Sequence, residues 1–248
     1  MRSIYSAIGF FLIVIFISLI YKLPAQFVYQ QLPQNKNMQL SGISGSIWSG
    51  HVDSINTPQL TLNNLDWQLS AWALLVGDID VHWTLDDSAV NLQGDISLSG
   101  EHLQISNMKG QIDLLELDER IPEQPTVLGG QATIDIVQAE LEDMQLVDMT
   151  GLIEWKPAFL LSPKNIELGE FKAELSNDID KLVARLSDTG GAVELAGDFT
   201  LSQQGSYDYS INIGIRDTSV PGLLDGFNQL GQHDNNGRAV LKGNGKLF

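Results

Sequence analysis

The chain has 248 residues, 43% of them apolar and 18% charged, with 23 Gly and no Cys. This composition fits one globular unit or two small halves and argues against disorder, collagen-like repeats and a disulfide scaffold. Its 14 Lys and Arg against 31 Asp and Glu give a formal charge of −17, which removes the basic footprint of a nucleic-acid binder, and the lack of cysteine removes thiol nucleophiles, thiolate metal sites and redox pairs.

Residues 4–21 read IYSAIGFFLIVIFISLIY, without a charge, which reaches the lower end of the length that spans a bilayer as a helix, about 18 residues. A cleaved secretory signal has a shorter apolar core, roughly 7–15 residues, and a small-x-small site after it. Here the flank is Lys22-Leu23-Pro24-Ala25, with only Leu23 and Ala25 to serve. The expectation is a retained single-pass helix with residues 1–22 as cytoplasmic start and anchor. Arg2 precedes the run and an acidic chain follows it, so the positive-inside rule leaves the N-terminus in the cytoplasm and exports the bulk. Residues 23–40 read as a linker.

Beyond Pro33 the dominant signal is period two. Ile79, Val81, Trp83 and Leu85 alternate with Asp78, Asp80, His82, Thr84 and Asp86; Val90, Leu92, Ile96 and Leu98 alternate with Asn91, Gln93, Asp95 and Ser97; and Tyr207, Tyr209, Ile211, Ile213 and Ile215 continue the rhythm. Strands with one dry and one wet face follow. Turn-forming clusters at 86–88, 99–101, 106–110, 129–130, 188–191 and 203–206 are short, which favours antiparallel hairpins over crossover units. The fold class expected is all-β: an antiparallel, curved sheet with one or two short helices, divided into a first β half at 41–125 and a second at 126–248. The helical pieces are Ala71 to Val76, packed beside Trp67, and Pro221 to Leu230, where Leu223, Leu224, Phe227 and Leu230 share a face. Both are expected to lie over the sheet.

The window AVNLQGDISLS at 89–99 matches AVELAGDFTLS at 192–202 at seven aligned positions, and Leu65-Asp66-Trp67 echoes Ile153-Glu154-Trp155. The two offsets differ, so a duplicated β unit requires an insertion near residues 164–186.

Chemistry is sparse. His51, His82, His102 and His233 are far apart and form no metal-ligand spacing. Residues 45–50, GSIWSG, lack the spacing of a serine nucleophile elbow, and 234–237 lack that of a calcium loop. Most carboxylates fall on the wet parity of strands, where a solvated face explains them. No catalytic, cofactor-binding or metal-ligating residue is nominated, and no cofactor is expected. Trp48 and Trp67 read as core aromatics joining the first strands to the short helical turn. A C-terminal aromatic raises an outer-membrane barrel, but Lys242, Asn244 and Lys246 share the parity of Phe248 and would face hydrocarbon.

Several stretches in order resemble the protein N family of the type II (general) secretion pathway of Gram-negative bacteria: the short start and anchor, Leu23-Pro24-Ala25, the stretch 42–50 (GISGSIWSG), Leu65-Asp66-Trp67-Gln68-Leu69 with Leu74-Leu75-Val76-Gly77, and the tail from Leu223-Leu224 to the stretch 237–245. The resemblance covers nearly the whole chain and is most specific at residues 45–50. It implies a non-enzymatic inner-membrane protein whose periplasmic β domain assists an export machine for folded proteins, with other components of that machine as partners. Strand edges offer partners a backbone-mediated mode of binding by β-augmentation. The alternative, from the dry strand faces and a broad similarity to strand-rich envelope proteins of the AsmA type, is lipid held in a β groove.

Overall fold

Alternating polar and apolar residues commit most of the chain to extended backbone, and the computed structural model pairs these segments into one fifteen-stranded antiparallel sheet. It describes residues 22–31, 37–121, 126–143, 145–162, 165–178, 181–228, 233–234 and 237–246. The apolar run at 4–21 and Leu230 lie outside the described residues. No described helix is long and apolar enough to cross a membrane.

The first strands are β1 (Gln39–Ser41), β2 (Ser44–Gly45), β3 (Ser49–Asn56), β4 (Thr61–Leu69), β5 (Ile79–Asp86), β6 (Val90–Ser99) and β7 (His102–Asp113). They are followed by β8 (Val127–Gly129), β9 (Gln131–Glu142), β10 (Gln145–Ser162), β11 (Ile166–Asp178), β12 (Lys181–Gly190), β13 (Val193–Ser202), β14 (Ser206–Ile215) and β15 (Ala239–Lys246). Spatial order follows chain order from β1 to β15, with β2 on β3 and β8 on the end of β10 as side branches. The β7–β9 ladder, from His102 opposite Glu142 to Asp113 opposite Gln131, makes the two halves one continuous sheet. Among the described residues β1 and β15 are not joined, so the sheet is open with two edges. On the β15 edge, Gly243 and Gly245 stand opposite Tyr209 and Tyr207; a Cβ at either glycine would sit 2.6 Å from the facing hydroxyl, so glycine there lets the tyrosine rings lie across the last strand.

Four short helices occur among the described residues, where one or two were expected: α1 (Ala25–Gln31), α2 (Ala71–Val76), α3 (Leu114–Asp118) and α4 (Leu223–Phe227). Local chemistry explains the extra α3, whose N-cap Asp113 side chain accepts from Glu116 N–H at 3.0 Å. In α2 the Ser70 side chain caps the start and Gly77, at φ 95°, ends the helix in the left-handed region that costs glycine nothing. The expectation that α2 lies over the sheet fails. Trp72 is 80% exposed and Leu75 and Val76 nearly as much, because only Ala73 of this helix is buried. In α4, Leu223 and Phe227 are buried as expected, whereas Leu224 points outward.

The two matching windows coincide with β6 and β13, and both strands run in the same direction, separated by six antiparallel steps. Their surroundings agree: Val90 pairs Ile112 and Val193 pairs Ile215, and the next residues, Asp113 and Arg216, each donate N–H to Ala89 or Ala192 at 2.8 Å. The Trp67 and Trp155 echoes do not match in this way. They lie on β4 and β10, five antiparallel steps apart and therefore opposed in direction. The extra strand sits between Trp155 and Val193, where β11 and β12 stand in place of one strand.

Candidate functional site: an apolar sheet face closed by Asp–Arg ion pairs

Residues directly opposite in a β ladder share a face, so the register traces which side chains lie together. From Val81 the path runs through Ile96, Ile105, Ala139 and Met149. A parallel path joins Ile134, Ile153, Ala173 and Leu186. Trp67 faces Trp83, and Trp155 faces Phe171 with ring centroids 5.8 Å apart. One side of the entire sheet is therefore dry. Ile136 and Val52 are the largest side chains enclosed almost completely; most of the apolar face is only half-buried, because among the described residues no second sheet covers it.

Two large hollows indent that face. One, of about 480 Å³, is lined by Ile153, Trp155, Leu168, Phe171, Leu186, Leu195, Ile213 and Phe227 of the second half. The other, of about 500 Å³, lies in the first half between Trp67, Trp83, Leu65 and Ile47, with Val28 and Tyr29 of α1 at its rim. Both fall within the usual range for sites that hold small apolar ligands, roughly 300–1,000 Å³. Helix α1 is held there by the Tyr29 hydroxyl, which accepts from Leu40 N–H at 3.2 Å.

One end of the face is closed by two similar constructions. Asp87 follows β5 on the parity of Leu85, and its side chain is 0% exposed. It accepts from Ala89 N–H at 2.9 Å, Asn63 N–H at 2.9 Å, Asn63 Nδ2 at 2.8 Å and Arg120 Nη1 at 2.6 Å. Burial alone would raise its pKa, but these hydrogen bonds outweigh it and hold the carboxyl below the ordinary aspartate value. Asp188 occupies the corresponding end of β12: burial raises it, while Leu195 N–H and Arg216 more than compensate. Arg216 reaches Asp188 and the Gly191 carbonyl at 2.9 Å each. The sequence reading treated residues 86–88 and 188–191 as turns and missed both pairs. Parity was the available signal, since Asp87 continues the dry series of Val81, Trp83 and Leu85.

The wet face carries cross-strand pairs of basic and acidic side chains. His82 Nδ1 lies 2.8 Å from Asp95, His51 Nδ1 lies 3.0 Å from Asp66, and His102 lies 3.7 Å from Glu142. Asp95 sits below its ordinary pKa because Asn107 and then His82 donate to it. Lys109 pairs Asp135 at 3.2 Å. These histidines stay apart on different strand pairs, His51 also lying 3.4 Å from Asp53 on its own strand, and no group of three potential metal ligands is found among the described residues. Trp67 Nε1 donates to the Ile47 carbonyl at 3.1 Å, joining β4 to the GSIWSG stretch rather than to the helical turn at 71–76, and Trp48 and Trp67 are both only half-buried.

Comparison with known proteins decides the family. The family model described as type II secretion system (T2SS), protein N matches residues 36–242. The chain belongs to that family. It is 28% identical over 235 residues to the type II secretion system protein N of Aeromonas hydrophila, covering 92% of this chain and 93% of the relative. It is 24% identical over 254 residues to the protein of the same description from Vibrio cholerae, covering 97% and 99%. No solved structure gives a significant match. The match begins before β1 and ends within β15, so the family unit is the whole sheet and not either half.

Proposed function

We propose that this protein is a non-enzymatic accessory component of the type II secretion apparatus, held in the inner membrane by residues 4–21 with the N-terminus in the cytoplasm and the sheet in the periplasm. The match over residues 36–242 carries the reading. An uncharged run long enough to span a bilayer supports the anchor. The paired windows on β6 and β13 support a duplicated β unit. The broad sheet, with its open edges and alternating charges on the wet face, suits binding to other apparatus components. Anchoring confines such partners to the membrane plane and raises their effective concentration.

The test is a deletion strain in which secreted and periplasmic exoprotein are measured alongside uptake of a hydrophobic dye. Folded exoproteins are expected to accumulate in the periplasm while dye uptake stays near normal. Normal secretion with a leaky envelope would overturn the reading in favour of lipid handling. The observation behind that second reading is the hollow of about 480 Å³ with its aliphatic and aromatic lining.

A further inference from the structure

Helix α2 displays apolar side chains that the sheet does not use. Trp72, Leu75 and Val76 are 80%, 75% and 76% exposed. Single exposed apolar residues are ordinary on a soluble surface, but a contiguous cluster signals something that covers it. No residue from Trp67 to Gly77 is charged, in a chain of net charge −17.

The position of the helix identifies what covers it. Ile47 N–H donates to the Leu23 carbonyl at 3.1 Å, and Leu69 N–H donates to the Trp48 carbonyl at 2.7 Å. Pro24 bridges Ser46, and Ser70 then caps α2. The chain emerging from residues 4–21 and the helix α2 thus hang from the same segment, Ser46 to Trp48. Tyr21 precedes Leu23 by two residues, so at most about 7 Å of chain separates the apolar run from that segment.

We propose that Trp72, Leu75 and Val76 insert into the lipid–water interface on the outer side of the membrane that residues 4–21 span. The inference rests on the anchor reading above. A bilayer is favoured over other occupants by place, chemistry and charge. The helix is tied to the point where the chain leaves the membrane. Tryptophan is enriched at membrane interfaces, where its apolar ring and N–H face different media. An anionic lipid surface repels the acidic body and leaves the uncharged tip as the part that approaches. A second copy would set −17 against −17 across a six-residue helix, a face too small for a stable dimer, which buries about 1,200 Å² or more. The consequence is orientation. With a second attachment beside the anchor, the sheet stands with α2 at the membrane and with α3, α4 and the Asp–Arg pairs at the far end. Strands of 8 to 12 residues then lift that end roughly 25–40 Å above the lipid.

The absence of native cysteine permits a direct test on the full chain. Leu75→Cys is labelled with an environment-sensitive nitrobenzoxadiazole and reconstituted in vesicles of phosphatidylethanolamine and phosphatidylglycerol carrying nitroxide-labelled acyl chains. Ile13→Cys in the apolar run and Gln59→Cys in the exposed β3–β4 turn at the far end serve as references. Quenching at position 75 is expected to approach that at 13 and to exceed that at 59 by about threefold or more. Quenching at 13 but not at 75 would overturn the proposal and leave the anchor standing. Loss at both positions would overturn the two together. Adding Trp72→Ser and Val76→Ser around the label should return position 75 to the level of position 59. These two side chains are exposed, so the sheet is not disturbed, and unchanged quenching would show that they do not insert. Normal exoprotein secretion or its loss is read separately, so failure here is distinguishable from failure of the secretion reading.

Discussion

Trp67 and Trp83 face each other across β4 and β5 on the same dry side, yet their polar tips are treated differently. Trp67 Nε1 donates to Ile47 at 3.1 Å, whereas Trp83 Nε1 is enclosed without a partner. A buried donor with a partner contributes about 1 kcal/mol net, while an orphaned one carries its desolvation cost uncompensated. Replacement by phenylalanine separates these terms, since both changes keep an aromatic ring. Trp67→Phe should therefore cost about 1–2 kcal/mol in denaturant melts beyond the change in packing, and Trp83→Phe distinctly less. Equal costs would mean that Trp83 Nε1 finds a partner. Alternation along residues 79–85 reveals that Trp83 is dry; it contains no information on whether a carbonyl lies within reach of the indole. That depends on the backbone path of the neighbouring GSIWSG stretch.

At the scale of elements, the Asp87 carboxylate joins β4 through Asn63, the β5–β6 turn through Ala89 and the end of α3 through Arg120. Asp87→Asn replaces an ionised acceptor of four hydrogen bonds and leaves Arg120 with Glu116, at 3.0 Å, as its remaining counter-charge; a loss of about 2–4 kcal/mol near neutral pH is expected. Since the folded-state pKa of Asp87 lies below its unfolded value, its contribution is present above about pH 4 and is lost as pH falls through the folded pKa. Asp188 acts with the same sign. The wild-type chain should therefore lose stability more steeply below pH 4 than Asp87→Asn, measured as denaturation midpoints against pH. Parallel curves would remove Asp87 from the acid response. The elements themselves were largely legible: the alternation at 79–86 is β5, the repeated windows are β6 and β13, and 71–76 is α2. Each is a local pattern. The Trp67 and Trp155 echoes misled because direction and register come from pairing along the whole sheet. Two adjacent strands, β11 and β12, occupy the interval where the first half has only β5, and one added strand reverses every direction beyond it. Helix α2 was found but misplaced, since its apolar sequence satisfies a core position as readily as an exposed tip.

For the whole molecule, the alternation determines which side of the sheet is dry and says nothing of what lies over it. An antiparallel sheet ordinarily buries its dry side against a second layer. Here α1, α3 and α4 occupy parts of it, and the middle of the second half stays hollow around Ala173, Leu186 and Leu195. Two states of that hollow make opposite predictions for Ala173→Trp in the full-length chain. If the hollow closes on itself in solution, the added ring overpacks it and costs roughly 1–3 kcal/mol. If an acyl chain fills it, as the second reading holds, the ring replaces the lipid and the denaturation midpoint changes little. Native mass spectrometry of the detergent-released protein reads the other half of the comparison: phospholipid bound to the wild type should fall severalfold in Ala173→Trp. A destabilised variant, with no lipid on the wild type, would make the dry face a collapsed core and leave binding to the edges and the charged face. A retained midpoint with lost lipid would make the groove a second working surface of a protein that its family otherwise assigns to secretion.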